Sequence, residues 1–239
     1  MIATCRQPES CAGLQALQAQ YPDRLFVMRL DVTDGASIEE AADLVRARCA
    51  AGIHLLINAS GVLHVPGEMH PEANLGQVTP QALAATFSVN AQGPLLVLQA
   101  FAPLLARGVE VNACAGVPSV CASLSARVSS LRENRLGGWY AYRASKAALN
   151  MLMRTAAVEL AKDQPMMMCV LLHPGTVDTA LSRPFNRNGA RVHVFPALSC
   201  DVTKNALRRS PNSACQDVVH ATSKRDVPHG RHWPLEGGG

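Results

Sequence analysis

The sequence predicts an α/β protein built on a doubly wound parallel sheet, and two patterns support this fold class. Short runs rich in Val, Ile, Leu and Met alternate with helix-like stretches of roughly 10 to 20 residues, as in successive strand–helix–strand units. These runs are continuously apolar rather than alternating, which is typical of strands that are covered on both faces. At 239 residues, the chain is long enough for one domain with a buried core.

We expect five strands, and these are residues 2–5, 25–30, 53–57, 118–124 and 166–172. Helices are expected between them, and these cover about 10–20, 37–45, 79–107 and 140–162. Ser10 is a candidate cap for the first helix. Ser37 and Glu40 have the spacing of a capping box. Thr79-Pro80 places a cap before a first-turn proline.

The regular pattern stops near Phe185. We therefore divide the chain into an α/β domain, residues 1–185, and a divergent C-terminal segment, residues 186–239. Within the second segment only 191–195 has a strand-like pattern. Residues 108–116 form a long connection between a helix and a strand, and a surface insertion of this kind costs little free energy.

The composition of the chain indicates which broad class of protein it belongs to. Apolar residues make up 48% of the chain and charged residues 17%, which is typical of a soluble globular protein. No apolar run approaches the roughly 20 residues that cross a bilayer, and the first residues lack the features of a secretory signal. We therefore expect no membrane partner and a cytoplasmic location. The eight cysteines have no C-x-x-C spacing, so neither a metal site nor a disulfide framework is expected.

The net charge of +4 is concentrated towards the C-terminus. Residues 186–239 hold eight Lys or Arg, four Asp or Glu and four His. A basic tail can indicate nucleic-acid binding. Here the charges are dispersed and no aromatic stacking platform lies among them, so nucleic acid is not the expected partner.

Tyr142 and Lys146 are the residues whose spacing points most directly to chemistry. Four residues apart on one helix, they lie on the same face one turn apart. A free phenol titrates near pH 10, and a neighbouring ammonium favours the phenolate, which lowers the phenol pKa. Such a pair can donate a proton to a carbonyl oxygen or remove one from an alcohol. An isolated Tyr-x-x-x-Lys match is more often an ordinary exposed helix face.

The residues around this pair carry a family resemblance. Tyr142-Arg-Ala-Ser-Lys146-Ala-Ala-Leu-Asn150 closely resembles the active-site helix of the short-chain dehydrogenase/reductase family. Together with the preceding Leu136-Gly-Gly-Trp-Tyr140, it is similar to the carbonyl-reductase-like and C-factor-like subgroup. Tyr140 is a competing tyrosine, but Ala144 stands where its lysine would be. The resemblance implies an oxidoreductase that moves hydride between a nicotinamide cofactor and a carbonyl or secondary alcohol.

Four further stretches match family motifs in the family's order. They are Asp31-Val32-Thr33-Asp34, Asn58-Ala59-Ser60-Gly61, Asn90, and Pro174-Gly175-Thr176-Val177-Asp178-Thr179. The resemblance implies adenine contacts for Asp31 and Val32 and a close approach to the cofactor at the turn 58–61. It also implies a water link to Lys146 for Asn90 and nicotinamide contacts for 174–179. Ala59 and Ser60 depart from the family's Asn-Asn-Ala-Gly. Each stretch alone could be a turn, a cap or a satisfied helix polar group.

The catalytic serine is the least defined of these positions. The family often places it second in a Ser-Ser pair at the end of a strand, thirteen residues before the tyrosine. In this sequence the corresponding pair is Ser125-Ala126, so an alanine stands at the second position, where the family has its serine. We expect Ser130 to orient the substrate oxygen, with Ser129 as the alternative, because a hydroxyl there could stabilise developing charge.

The family's opening glycine-rich turn has no counterpart in the sequence. The family begins with a strand, this turn and a helix whose N-terminus holds the pyrophosphate, whereas here Met1 falls where its second strand would begin and Gly13 is the only early glycine. In the order 3-2-1-4-5-6, the missing strand is central, so we expect two unpaired sheet edges. A shortened or misassigned N-terminus, or a chain that is no longer an efficient enzyme, would account for this.

The sequence therefore leaves two functions open. The first is an oxidoreductase using NADP(H) in preference to NAD(H), because Arg6 stands where a basic residue can hold the 2′-phosphate. Its small-molecule substrate would be a carbonyl or an alcohol. The alternative is a catalytically impaired relative that acts as a binding module. By analogy of fold alone, a homodimer through the helices 80–106 and 140–162 is possible in either case.

Overall fold

The computed structural model describes residues 1–111, 117–177 and 179–185. Within them, the strands are β1 (Ile2–Cys5), β2 (Phe26–Arg29), β3 (Leu55–Asn58), β4 (Ser119–Leu124) and β5 (Met167–Leu172). The helices are α1 (Ala12–Gln20), α2 (Gly35–Arg48), α3 (Pro80–Phe87), α4 (Gly93–Val111) and α5 (Tyr140–Asp163). Strands and helices alternate as predicted, and the α/β fold class is confirmed.

The strands form two separate parallel sheets. β1 pairs with β2, with Ile2 opposite Phe26. β3, β4 and β5 form the other sheet in that order, with Leu55 opposite Val120 and Cys121 opposite Cys169. No described strand pairs with both β1 and β3. This division lies where the doubly wound order requires a central strand, as the sequence predicts.

One layer of helices carries the core and joins the two sheets. A first cluster packs α2 and α4 on β2, around Met28, Ile38 and Phe101. Ile2 of β1 and Leu56 of β3 both pack against this cluster, so it spans the division between the sheets. A second cluster packs α4 and α5 on β4 and β5. Residue burial of this extent is the main favourable contribution to folding.

The opposite face of the sheets has little cover from the described residues. Leu55 and Ile57 of β3 point to one face and are 54% and 40% exposed. Helix α1, which belongs on this side of the doubly wound order, has no buried residue. Strands of a parallel sheet are normally buried on both faces, so this face differs from that of a complete doubly wound fold.

Two of the predicted helix caps are wrong. The side chain of Asp34 caps α2 by accepting from the amides of Ala36 and Ser37. Ser37 lies inside the helix, where its hydroxyl accepts instead from the amide of Asp31. Helix α1 begins at Ala12 without a side-chain cap, because residues 8–10 form a separate 3-10 turn. The predicted cap at Thr79 is confirmed, since its hydroxyl accepts from the amide of Ala82.

Helices α3 and α4 run on through a π-helical turn at Ser88–Gln92. The combined stretch Pro80–Glu110 contains an 18-residue window of mean hydropathy 1.3, and by length and composition it could cross a membrane. Half of its apolar window is buried against the rest of the protein, and its residues build both core clusters. We therefore interpret it as a core helix.

Gly93 begins α4 where the helix touches the end of β2. A Cβ atom there would lie 2.8 Å from both the Cβ and the carbonyl oxygen of Val32. We expect Gly93→Ala to lower the free energy of unfolding by about 1–3 kcal/mol, because overpacking forces the backbone to shift. Urea unfolding measures this change. Gly13→Ala is the control, since its Cβ would meet nothing within 4 Å, and its stability should stay equal or rise. Equal unfolding free energies for Gly93→Ala and the parent chain would contradict the prediction.

Parts of the sequence analysis concern residues outside the described ones. These are the segment 186–239 with its predicted strand at 191–195, residues 112–116 of the longer connection, and Asp178. The boundary between the two segments at residue 185 stays a prediction.

Candidate active site

The candidate residues lie at one edge of the sheets. Arg6 follows β1, Asp31 comes two residues after β2, and Asn58 ends β3. Ser125 follows β4, and Pro174 comes two residues after β5. Because the strands within each sheet are parallel, their carboxyl ends share one edge. Ligands of open α/β sheets bind at this edge.

Tyr142 and Lys146 lie in the first two turns of α5, on its buried face. They are 9% and 4% exposed. The Lys146 Nζ atom lies 5.9 Å from the centroid of the Tyr142 ring and donates a hydrogen bond of 2.8 Å to the carbonyl oxygen of Leu124. The lysine therefore links α5 to the end of β4 and stands close to the tyrosine.

Burial governs the ionisation of both side chains. It raises the pKa of Tyr142 to about 12 and lowers the pKa of Lys146 to about 8. In both cases the charged form loses solvation. The sequence argument expected the ammonium to lower the pKa of Tyr142, and the structure gives the opposite direction because burial of the phenol outweighs that attraction. Tyr142 is thus a neutral hydroxyl with a proton to donate at pH 7.

Asn90 lies at the π-helical turn between α3 and α4 and is fully buried. Its Oδ1 accepts from the amide of Val62 at 2.7 Å, and its Nδ2 donates to the carbonyl of Val62 at 2.8 Å. Nδ2 also donates to the hydroxyl of Ser145 at 3.1 Å. Asn90 therefore joins the turn after β3 to α5, and π-turns of this kind are often found at functional sites.

Asn58 and Gly61 shape the turn after β3. The Asn58 Nδ2 donates to the carbonyl of Pro94 at 3.3 Å and to the hydroxyl of Ser123 at 3.1 Å, so its side chain points into the protein. A Cβ at Gly61 would lie 3.6 Å from both Asn90 Oδ1 and Lys146 Nζ. The turn, which includes Ala59 and Ser60, therefore passes directly beside the lysine.

An open cleft of about 430 Å³ lies at the carboxyl end of β1 and β2. It is lined by Arg6, Gln7, Glu9, Arg29 and Asp31. Asp31 Oδ1 accepts from the amide and the hydroxyl of Thr33, and these bonds hold the pKa of the carboxyl below its usual value. The lining carries two guanidinium groups and two carboxylates, and Arg29 pairs with Asp34 at 3.5 Å, so Arg6 is the cation better placed for an anionic group.

The three serines near the end of β4 differ in their hydrogen bonds. The Ser125 hydroxyl donates to Asn150 Oδ1, and the Ser129 hydroxyl accepts from Asn150 Nδ2 while donating to the carbonyl of Ala126. The Ser130 hydroxyl accepts from the amide of Glu133 at 3.2 Å, which leaves its proton for another acceptor. Of the three, Ser130 is the one whose hydroxyl can donate to a ligand.

The turn after β5 carries the last predicted motif. Pro174, Gly175, Thr176 and Val177 are half-buried, and Gly175 has a φ of +76°, which favours glycine. Thr179 is exposed, and its amide donates to the hydroxyl of Ser182 at 3.2 Å.

Sequence reasoning missed three side chains around the start of α5. Arg143 donates to the carbonyls of Gly137, Gly138 and Val128, and so fastens the preceding loop to the helix. Trp139 packs edge-to-face on Tyr142, with ring centroids 6.2 Å apart. Glu72 is a buried carboxylate beside this loop. Arg143 and Trp139 stand within the quoted family run, whereas no sequence pattern marks Glu72.

Comparison with known proteins defines the class. The family model for short chain dehydrogenases matches residues 1–190, and the chain belongs to this family of NAD(P)-dependent oxidoreductases. The resemblance inferred from the sequence is thereby confirmed.

Several relatives fall in the expected subgroup. The chain is 38% identical over 136 residues to the C-signal protein of Myxococcus xanthus, covering 57% of this chain and 72% of that protein. It is 33% identical over 186 residues to 1-hydroxy-2-glutathionyl-2-methyl-3-butene dehydrogenase of Rhodococcus sp. strain AD45, with coverages of 77% and 73%. The structure of NADPH-bound carbonyl reductase from chicken fatty liver matches with a TM-score of 0.65 and 33% identity, covering 75% of this chain and 69% of that one.

The described residues fit parts of a dinucleotide. Arg6 in the cleft suits a phosphorylated ribose, and the turn at Gly61 lies against Lys146. Among the described residues, no glycine-rich turn leads from a strand into a helix at the pyrophosphate position. The described residues therefore offer contacts to both ends of the dinucleotide and fewer to its central pyrophosphate.

Proposed function

We propose that the protein is an NADP(H)-dependent oxidoreductase that acts on a carbonyl or a secondary alcohol through Tyr142 and Lys146. The observation that carries the proposal is the buried pair on α5, with Lys146 Nζ 5.9 Å from the Tyr142 ring. Relatives described as carbonyl reductases, one of them bound to NADPH, support the choice of substrate class and cofactor.

In this mechanism the bound cofactor supplies the hydride. The Tyr142 hydroxyl, protonated at neutral pH, donates its proton to the carbonyl oxygen as the alcohol forms. Lys146, whose pKa near 8 leaves it largely protonated at pH 7, stabilises the resulting phenolate. The Ser130 hydroxyl donates a hydrogen bond to the substrate oxygen and orients it. Asn90 keeps the turn at Gly61 against Lys146.

Cofactor sites at the sheet edge complete the proposal. Asp31 and Val32 contact the adenine, and the turn Asn58-Ala59-Ser60-Gly61 lets the backbone approach the cofactor beside Lys146. Pro174, Gly175, Thr176, Val177 and Thr179 border the nicotinamide. The position of both turns at the carboxyl edge of the strands supports these assignments.

Titration of NADPH into the purified chain, followed by the fluorescence of the nicotinamide, tests the function. We expect saturable binding and oxidation of NADPH when 4-nitrobenzaldehyde is added as a probe carbonyl. A chain that shows no saturable binding would exclude the enzyme function for this polypeptide.

Arg6 is the residue that we expect to set cofactor preference. Arg6→Ala should weaken NADPH binding by about 10- to 100-fold, since a hydrogen bond to a charged group contributes about 1.5–3 kcal/mol. Affinity for NADH should change little, because NADH has no 2′-phosphate. The two dissociation constants, measured side by side, check the prediction. Equal losses for both cofactors would show that Arg6 acts on the fold of the cleft and not on the phosphate.

A catalytically impaired relative that serves as a binding module is the second candidate. The divided sheet and the exposed Leu55 and Ile57 favour it, since they leave a parallel strand uncovered by described residues. The NADPH titration separates the two functions, because a module of this kind needs no cofactor.

A further inference from the structure

We propose that Glu72 is a positioning residue for the active-site helix: its carboxylate caps α5 and holds the turn that brings Tyr142 into place. Glu72 lies in the loop between β3 and α3, 69 residues before the amide that it binds. Its side chain is 3% exposed. The exchange and fluorescence tests of this role do not depend on the proposed function, whereas its effect on turnover does.

Helix α5 begins without a cap of its own. The residue at its N-cap position is Trp139, which has no side-chain acceptor and makes no capping hydrogen bond. The first amides of a helix have no partner within the helix and need one from elsewhere. Glu72 Oε2 accepts from the amide of Ala141, the second residue of α5, at 3.3 Å. A carboxylate at this end also interacts favourably with the helix dipole.

Glu72 holds the approach to the helix as well. Its carbonyl oxygen accepts from the amide of Trp139 at 2.6 Å. A Cβ at Gly138 would lie 3.2 Å from the same carbonyl oxygen, so the two segments touch. The carbonyl and the side chain of Glu72 thus bind the amides that precede and follow Tyr140, the first residue of α5.

Trp139, whose amide binds the Glu72 carbonyl, has a strained backbone conformation. Trp139 has a φ of +53°, and it is the only described residue other than glycine with a positive φ. Bulky residues rarely adopt this conformation, and it persists only where the surroundings hold it. In this conformation the indole packs edge-to-face on the Tyr142 ring and on Phe185, whose ring centroid lies 5.5 Å away. Release of Glu72 would therefore move both the helix start and the indole.

The Glu72 carboxylate is buried at this position and only partly hydrogen-bonded. Its Oε1 atom is buried and has no hydrogen-bond partner among the residues that the structure describes. It borders a narrow crevice shared with Tyr142, Thr86 and Leu63. Burial of an incompletely paired carboxylate is unfavourable, so the contact with α5 must offset that cost.

The test compares Glu72→Ala with Glu72→Gln, which keeps an oxygen acceptor for the Ala141 amide. Thr86→Val is the matched control, because Thr86 borders the same crevice without touching α5's first amides. All variants carry Trp233→Phe, so that Trp139 is the only fluorescent tryptophan of the chain's two. Amide hydrogen exchange and indole emission are measured first, then NADPH affinity and turnover of 4-nitrobenzaldehyde.

In Glu72→Ala we expect exchange at Trp139 and Ala141 to rise about tenfold or more, in line with loss of a cap. Indole emission should shift to longer wavelength. Turnover should fall about tenfold while the NADPH dissociation constant stays within about twofold, because Glu72 caps the helix of Tyr142 and lines none of the proposed cofactor site. Glu72→Gln should recover most of each property, and Thr86→Val should resemble the parent.

Three results would overturn the proposal. The first is unchanged exchange and emission in Glu72→Ala. The second is a Glu72→Gln variant whose amide exchange and indole emission match those of Glu72→Ala. The third is a turnover loss matched by an equal loss of NADPH affinity. If no variant, the parent included, binds NADPH, the proposed function fails, and the exchange and emission results still decide the role of Glu72.

Discussion

Replacing Tyr142 with phenylalanine is expected to lower the rate of NADPH-dependent carbonyl reduction by about 100-fold or more, since general acid catalysis contributes about 10²–10⁴-fold. The substitution removes one hydroxyl and retains a ring of the same shape. That ring is almost fully buried and packs on Trp139, so the fold around it should persist. The NADPH dissociation constant should stay within about twofold, because the hydroxyl binds the carbonyl and not the cofactor.

The measurement is single-turnover oxidation of NADPH with 4-nitrobenzaldehyde at saturating cofactor, together with a fluorescence titration of NADPH. Tyr140→Phe is the matched control, because Tyr140 is exposed and has no lysine four residues on. It should behave as the parent chain does. A Tyr142→Phe variant that loses cofactor affinity would show that the hydroxyl serves binding and not proton transfer.

Under the proposed mechanism, the ionisation of the pair favours the step in which Tyr142 gives up a proton. With a pKa near 12, Tyr142 carries its proton throughout the neutral range and suits reduction, which consumes a proton. Oxidation of an alcohol requires the phenolate, which burial disfavours. Lys146, with a pKa near 8, loses its charge above that pH and can then no longer stabilise the phenolate.

The helices and strands were predictable because their signals are local. Continuous apolar runs marked all five strands to within two residues at each end, and Thr79-Pro80 marked the start of α3. The cap of α2 was wrong because Asp34 and Ser37 are both good capping residues three positions apart. Sequence alone does not decide between them, whereas the packing of Ser37 against Asp31 does.

The features of the site that the sequence did not reveal depend on contacts between residues far apart in the chain. Glu72 stands in a loop without periodicity, and its partner Ala141 lies on another element. The positive φ of Trp139 is likewise not expected from any local preference of tryptophan. The pKa of Tyr142 was misjudged for a related reason: spacing reveals the neighbouring lysine, and only the fold reveals how deeply both are buried.

The divided sheet leads to the second large prediction. Among the described strands, β1 pairs only with β2 and β3 pairs only with β4, yet Ile2 and Leu56 pack on one core cluster. A strand inserted between them would complete the order 3-2-1-4-5-6 and bring its following turn to the carboxyl edge. Fusion of the first strand, glycine-rich turn and helix of a family member that has them, placed ahead of Met1, supplies such a segment.

We expect this fusion to lower the NADPH dissociation constant by about 100-fold or more, because each hydrogen bond to a charged phosphate contributes about 1.5–3 kcal/mol. Leu55 and Ile57 should become covered, and amide exchange along β1 and β3 should slow. The control is the same fusion with the glycines of the turn replaced by valine, which can complete the sheet but crowds the pyrophosphate. Slowed exchange with unchanged NADPH affinity in the glycine-containing fusion would mean that the completed fold still lacks a cofactor site, and it would favour the binding module over the enzyme.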